Sequence, residues 1–411
     1  MGLYQCRPPM SGRMGTLWTL ASIRDAALIE YGCMGHMMYG RVFLNRAGVT
    51  GGCKLYSTHL NETDISLGNL QRLNRTVKHV IEKDQVKTVF LLPSSVPNIT
   101  GIDLEAACEE LRLQYPGINL IAFGAGGFDV YGSRGVEAAL LHLAKNISKP
   151  CEMDKKPHFN LIGSCADLFR FQADKAELVR ILKGALNMDP ICIMTSDTTV
   201  DEIQKMSGAQ INLVIRAEGE SAAKYLQNTH GTPYLLGRPY GIKEVTKWVE
   251  RIAEICKLQV NQAFVREEES KTREQIEPSR QIFQHITHMH PECAKLSLGG
   301  HPDVVKGILS FGMDEFSFLK GECWSTLPNV TDCEIPYYSE EKWMEAVKNH
   351  KKGYLMTSGE ALALAGRSLD MQIANPDVKW RIHPYDPPLV GYRGAAQLVN
   401  LWLNEDPEKE K

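Results

Sequence analysis

Two cysteines near the amino terminus have the residue type and setting best suited to chemistry. Cys6 lies in Gln5-Cys6-Arg7-Pro8-Pro9 and Cys33 in Tyr31-Gly32-Cys33-Met34-Gly35-His36, 27 positions further on. Each sits beside Pro or Gly, and the pair brackets one apolar, helix-like stretch. Thiolates on tight turns at the two ends of a helix suit a metal–sulfur cluster better than a disulfide. The competing reading is a pair of inert buried thiols, the usual state of a lone cysteine. A second ligand-rich run, His285-x-x-His288-x-His290-x-x-Cys293, has spacing that a zinc ion could use. It has no second ligand pair at finger-like distance and it precedes a strand, so surface or interdomain histidines are the alternative. Cys53, Cys108, Cys151, Cys165, Cys192, Cys256, Cys323 and Cys333 form no C-x-x-C pair and read as small hydrophobes. No G-x-x-x-x-G-K-[ST] occurs, so the chain is not expected to hydrolyse ATP itself, and neither G-x-S-x-G nor H-E-x-x-H is found. Gly124 to Gly132 resembles a phosphate-cradling loop only loosely and reads as a tight turn.

The elements that must position these residues follow a repeated order of short apolar strand, Gly- or Ser-rich turn and amphipathic helix. Strands are expected at Val86–Leu92, Asn119–Phe123, Phe159–Ser164, Ile191–Met194, Ile211–Ile215, Ala294–Gly300 and Gly353–Gly359. A helix is expected from about Asp103 to Leu113. Strands alternating with helices make parallel α/β sheets whose ligands gather at the carboxyl ends of the strands. Three such series predict three Rossmann-like domains, 1–150, 151–285 and 286–411, the last closed by a helix, Gly394 to Trp402, that packs back on another domain. The charged run Arg266-Glu267-Glu268-Glu269-Ser270-Lys271 near the second boundary reads as a solvated helix face. A length of 411 residues exceeds one ordinary core, and 43% apolar with 23% charged residues is a globular composition. A net charge of −3 gives no pull toward nucleic acid or an anionic membrane. No run approaches about 18 uncharged apolar residues, and the first residues lack the apolar core of a signal peptide. Eleven scattered cysteines then fit a reducing, cytoplasmic setting.

Cys6-Arg7-Pro8-Pro9, Ile23-Arg24-Asp25, Gly32-Cys33 and Ser57-Thr58-His59-Leu60-Asn61-Glu62-Thr63-Asp64-Ile65, followed by Gly68, resemble the N-terminal domain of nitrogenase component-1 proteins. Arg381-Ile382-His383-Pro384-Tyr385-Asp386 and Gly391-Tyr392-Arg393-Gly394-Ala395 extend the resemblance, more weakly, over most of the chain. The superfamily includes molybdenum–iron protein subunits, cofactor-assembly scaffolds, protochlorophyllide and chlorophyllide reductases, and the reductive cyclase of coenzyme F430 synthesis. The resemblance implies a nitrogenase component-1-like architecture and an iron–sulfur cluster at a subunit interface. Three cysteines per subunit hold that cluster in the family. Cys6 and Cys33 match the first two, and the third falls at Ser95, whose hydroxyl is a much poorer iron ligand. An eight-iron P-cluster is therefore disfavoured. Two chains in a symmetric dimer, or a heterodimer with a homologous subunit, would instead supply the thiolates for one bridging [4Fe–4S] cluster.

The large catalytic cofactor of nitrogenase is held by a cysteine after a second-domain strand and by a histidine near the C-terminus. Arg216 falls at the cysteine, and His383 aligns with the histidine. Dinitrogen reduction by this chain alone is thus not expected. Arg216 suits an anionic substrate, such as tetrapyrrole carboxylates, or alternatively an interdomain salt bridge. The resemblance implies the catalytic component of an ATP-dependent two-component reductase, with a separate P-loop ATPase iron protein supplying electrons. A tetrapyrrole-type or other small unsaturated substrate would sit in the interdomain cleft, and reduction of carbon–sulfur bonds also falls within the superfamily. Cys6 and Cys33 would carry the cluster beside Ser95, with Arg216, His383 and His36 as pocket or proton-donor candidates. A metallocofactor-assembly scaffold and a sugar- or nucleotide-binding Rossmann protein are the alternatives.

Overall fold

Short runs of Leu, Ile and Val that end in Gly or Ser turns fold as the inner strands of parallel sheets. The computed structural model describes residues 5–6, 10–49, 51–67, 70–94, 101–124, 131–152, 156–328, 334–376 and 386–408. Among these, β1 (Ala26–Tyr31), β2 (Lys54–Ser57), β3 (Thr88–Pro93) and β4 (Asn119–Ala122) form one sheet in the order β2-β1-β3-β4. A second contains β5 (His158–Ile162), β6 (Asp189–Met194), β7 (Ile211–Val214) and β8 (Tyr234–Leu236), ordered β6-β5-β7-β8. The third, of β9 (Lys295–Gly300), β10 (Leu319–Ser325), β11 (Tyr354–Ser358) and β12 (Gln372–Ala374), is ordered β10-β9-β11-β12. The central pairs run parallel, with Leu28 beside Phe90, Leu161 beside Leu213 and Leu298 beside Met356. Every residue of β1 and β3 is buried, as parallel strands covered on both faces must be. The same order arises three times, and in each sheet the side on which successive strands are added switches at the first and third strands, which stay parallel. The carboxyl ends of β1 and β3, β5 and β7, and β9 and β11 are therefore the switch points at which open α/β sheets bind ligands.

The chain divides into two compact units, one of Met10–Asp167 with Pro190–Tyr234, the other of Met1–Pro9, Leu168–Asp189 and Leu235–Lys411. In the first, α1 (Gly12–Leu20) is buried at every residue. It can sink so far because a Cβ on Gly15 would overlap the carbonyl of Gly132, and one on Gly135 the carbonyl of Gly12. α2 (Met34–Arg46), α3 (Glu62–Leu67), α4 (Gln71–Asp84) and α5 (Leu104–Gln114) follow, and α6 (Gly132–Ile147) is the helix that meets α1.

α7 (Phe171–Leu186) belongs to the second unit, whereas α8 (Val200–Gln204) and α9 (Glu220–His230) belong to the first. The second unit continues with α10 (Gly241–Cys256), α11 (Gln262–Met289), α12 (Pro302–Phe316), α13 (Glu340–Asn349), α14 (Gly359–Ala365) and α15 (Gly391–Leu403). α15 packs on α7, α10 and α11. Its Trp402 meets Phe283 of α11 edge-on at 6.3 Å and Phe318 at 5.0 Å between ring centroids. Asp174 and Glu177 of α7, both buried, accept the backbone N–H groups of Leu389 at 2.6 Å and Arg393 at 3.1 Å. These carboxylates satisfy donors at the start of α15 that no helical carbonyl can reach.

The expected strands and the helices near 103–113 and 394–402 coincide with β3, β4, β5, β6, β7, β9, β11, α5 and α15, give or take a few residues. The run Arg266–Lys271 lies inside α11, with Arg266, Glu267, Ser270 and Lys271 exposed, while Glu268 turns inward to Arg180 at 2.6 Å. One expectation is corrected. The apolar stretch between the two cysteines is a helix followed by a strand, so Cys33 leaves the end of β1 rather than the end of a helix. Among the described residues no helix is long and apolar enough to cross a membrane.

Candidate functional site

The switch point of the first sheet is built from three consecutive chain ends. β1 runs into Gly32 and Cys33, which caps the first turn of α2 in extended backbone (φ −83°, ψ 148°) without a side-chain capping bond. Its thiol is half-buried, with Sγ 3.9 Å from the Leu60 carbonyl. The thiol thus sits at the amino-terminal end of α2, beside the segment that follows β2. β2 contributes Ser57 and the following Thr58. The Ser57 hydroxyl donates to the Gly32 carbonyl at 3.2 Å, and Thr58 Oγ1 accepts the Gly32 N–H at 2.9 Å. β3 contributes Ser94, whose N–H donates to the Tyr31 carbonyl at 2.9 Å. Ser94 is fully buried and lies against the α-carbon of Gly32, where any Cβ would overlap its hydroxyl. Glycine at 32 is thus required by close approach rather than by backbone angle.

Behind this turn stands a buried ion pair. Glu30 on β1 has no exposed surface and is bonded to Arg13 of α1, itself only 5% exposed. Burial pushes the Glu30 carboxyl up to about 7, against the opposing pull of the Arg13 guanidinium.

Cys6 belongs to the other unit. The N–H groups of Gln5 and Cys6 donate to the two carboxylate oxygens of Glu340, on the first turn of α13, at 2.7 and 2.9 Å. Burial, then the charges of Glu360 and Glu340, raise the Cys6 thiol above its ordinary value.

Arg216 leaves the end of β7 at the second switch point and is 1% exposed. Its Nε and Nη2 donate to the Glu218 carboxylate at 3.0 and 2.9 Å, and Nη1 donates to both oxygens of Asp167 at 2.8 and 2.9 Å. Burial works against the charge, but the two carboxylates outweigh it and hold the guanidinium protonated. Both partners lie in Arg216's own unit. Nearby on the chain, Cys165 accepts a hydrogen bond from Thr195 at 3.4 Å, and burial pushes its thiol up to about 11.

The structure brings Ser94 against Gly32, the residue before Cys33, and Arg216 together with Asp167 and Glu218. Ser95, His383, Cys333 and residues 125–130 lie outside the described residues, and so does the side chain of His36, on the first turn of α2. The histidine run is not gathered: His285, His288 and His290 are exposed, Cys293 is buried, and no three of their ligand atoms come within 4.8 Å of one another. Cys53, Cys108, Cys192 and Cys323 are buried single thiols. Sequence reasoning missed Ser94, the Arg13–Glu30 pair and both partners of Arg216. The Ser94-Ser95 doublet at a strand end was the available signal for the first.

A switch-point cysteine and a repeated parallel sheet order accompany a match to a known family. The model of nitrogenase component 1 type oxidoreductases matches residues 11–312. The chain belongs to this family. Similar relatives include the nitrogenase iron-molybdenum cofactor biosynthesis protein NifE of Clostridium pasteurianum, 26% identical over 272 residues, covering 64% of this chain and 58% of that protein. NifE of Methanosarcina barkeri is 25% identical, covering 69% and 60%. A subunit of the light-independent protochlorophyllide reductase of Prosthecochloris aestuarii is 26% identical, covering 46% and 34%. The chain therefore spans about three-fifths or less of these relatives' length. A solved structure, nitrogenase Cp1 at pH 6.5, superposes with a TM-score of 0.80 at 13% identity over 98% of this chain and 94% of that one. The nitrogenase component-1-like α/β architecture expected from sequence is the one found.

Proposed function

We propose that this family member is the catalytic component of a nitrogenase-like, ATP-dependent two-component reductase. The observation that carries the reading is Cys33, a half-buried thiol on the first turn of a helix at the carboxyl end of a buried parallel strand. The residues there fit an iron–sulfur cluster: a soft thiol ligand that is half-buried at a strand's carboxyl end, and a buried hydroxyl at Ser94 without a hydrogen-bond partner among the described residues. Such a cluster supplies one-electron transfer at low potential. Cys33 and Cys6 would hold it, in a [4Fe–4S] form bridging two copies of the chain or this chain and a homologous subunit, with Ser95 nearby. The Arg13–Glu30 pair fixes the strand that carries Cys33.

A separate P-loop iron protein would hydrolyse ATP and deliver the electrons. Arg216, its donors committed to two carboxylates, is a pocket residue that holds Asp167 and Glu218 in place. His383 and His36 are proton-donor candidates toward a tetrapyrrole-type or other small unsaturated substrate. The three sheets are read as three Rossmann-like domains, 1–150, 151–285 and 286–411, of a cytoplasmic protein.

Matches to NifE proteins over 64–69% of this chain favour a second reading, a scaffold that holds a metallocofactor for transfer. Against it, the side chain at 216 is a neutralised arginine rather than a thiolate.

Anaerobic purification with iron and sulfide analysis and electron paramagnetic resonance tests the cluster. About four irons per dimer are expected, lost in both Cys6→Ala and Cys33→Ala. Full iron content in the variants overturns the assignment. Multiple turnover with an iron protein, ATP and a low-potential donor supports the reductase; release of a bound cluster to an apo-enzyme without turnover supports the scaffold.

A further inference from the structure

A groove of about 370 Å³ lies between α11 and α15, a volume within the range of small-molecule sites. Arg393, Asn400 and Leu403 line it from α15, seven and three residues apart, so they share one face over about 15 Å. Ile276 of α11 and Val399, both almost fully buried, give it an apolar floor, and Leu403, 45% exposed, extends that floor away from Arg393. Three carboxamides, those of Gln275, Gln397 and Asn400, line the same groove, and among the described residues no carboxylate does. Asn400 Oδ1 accepts from Asn404 at 3.0 Å, which leaves its own amino group to donate. The charge at Arg393 is open to solvent. Its side chain is 64% exposed, and Nε lies 3.7 Å from Glu177, beyond hydrogen-bond reach. Glu177 is committed to Arg180 at 2.8 and 2.9 Å and to the backbone N–H of Arg393. Helix donors add little here, because the N–H of Gly391 is taken by the Pro239 carbonyl and that of Arg393 by Glu177. An anion in the groove therefore meets one guanidinium. That matches the single charge of a carboxylate better than the nearly double charge of a phosphate.

We propose that this groove binds a small amphipathic monocarboxylate that also carries an amide, of the N-acyl amino acid class. The carboxylate pairs with Arg393, the amide bonds to the carboxamides, and the apolar side chain lies on Ile276, Val399 and Leu403. The site lies wholly in the unit that lacks Cys33, and it stands apart from the iron–sulfur reading.

Titration of the full-length chain with N-acetyl-leucine, by calorimetry and saturation-transfer NMR, tests the site; N-acetyl-leucinamide, which lacks the charge, is the comparison. N-acetyl-leucine is expected to bind wild type saturably at one site. The uncharged amide should bind wild type about tenfold more weakly, and so should N-acetyl-leucine to Arg393→Gln, as loss of a charge-assisted hydrogen bond requires. Asn400→Asp sets a carboxylate inside the groove and is expected to weaken N-acetyl-leucine by a similar factor while leaving the amide unaffected. Arg393 and Asn400 are both exposed, so both variants should melt with wild type. If Arg393→Gln melts early, the charge selectivity of Asn400→Asp decides. No saturable binding of N-acetyl-leucine to wild type overturns the proposal. Equal affinity for acid and amide overturns it too, and so does wild-type affinity in both variants, which places the ligand elsewhere.

Discussion

Replacing Glu30 by glutamine will flatten the pH dependence of stability of the unit that contains the first sheet. The carboxyl lies in a fully buried position and is raised from an ordinary value near 4.5 to about 7. Each tenfold in proton affinity is worth about 1.4 kcal/mol, so the folded state favours the protonated acid by on the order of 3 kcal/mol. Below pH 4.5 the acid is protonated in folded and unfolded chains alike, and this advantage is fully present. As pH rises toward 7 the unfolded chain gives up its proton while the folded chain keeps it, so stability falls; above 7 the loss is complete. Two units do not promise a single unfolding transition, so local protection is the better measure. Hydrogen exchange of the β1 and α1 amides, corrected for the intrinsic exchange rate, should show protection falling by about a hundredfold between pH 4.5 and 7.5 in wild type. Glu30→Gln should remain level over that range, even though its buried Arg13 makes it less stable overall. Parallel slopes in the two proteins would refute the placement of the titrating group at Glu30.

Two further outcomes follow from close packing and buried charge. Gly32→Ala drives a methyl group into Ser94 Oγ and Cβ and should cost about 1–3 kcal/mol. Adding Ser94→Gly should recover much of that loss in thermal melting, and no recovery would show that the clash lies elsewhere. Arg216→Met removes the cation between Asp167 and Glu218 and should cost about 3–5 kcal/mol. The triple variant with Asp167→Asn and Glu218→Gln should regain part of it by calorimetry, whereas a single variant that melts like wild type would rule out the ion triad as a structural element.

How much was legible in the sequence depended on whether its cause was local. The strands at 86–92, 211–215 and 294–300 declare themselves because a buried parallel strand must be apolar on both faces. β1 was hidden because Glu30 interrupts its apolar run, and that acid is tolerable only through Arg13, 17 residues away in sequence but bonded to it in the fold. Arg216 was visible as a displaced cysteine, but not as a spent cation, since Asp167 lies 49 positions distant. The anchorage of Cys6 on Glu340, 334 positions away, has no local signature at all. The Ser94-Ser95 doublet was visible at a strand end, but the approach of Ser94 to Gly32 follows only from the sheet order that places the end of β3 beside the end of β1.

The bonds from α7 to the start of α15 also set an order of events during synthesis. Asp174 and Glu177 leave the ribosome more than two hundred residues before Leu389 and Arg393, the backbone donors they accept. Until then the growing chain carries two acids meant for burial with part of their hydrogen bonding missing, and at a bacterial or eukaryotic pace this lasts some ten seconds or more. A chain that stops before residue 389 lacks these two donors, and Asp174 and Glu177 then keep only their arginine partners, Arg238 and Arg180.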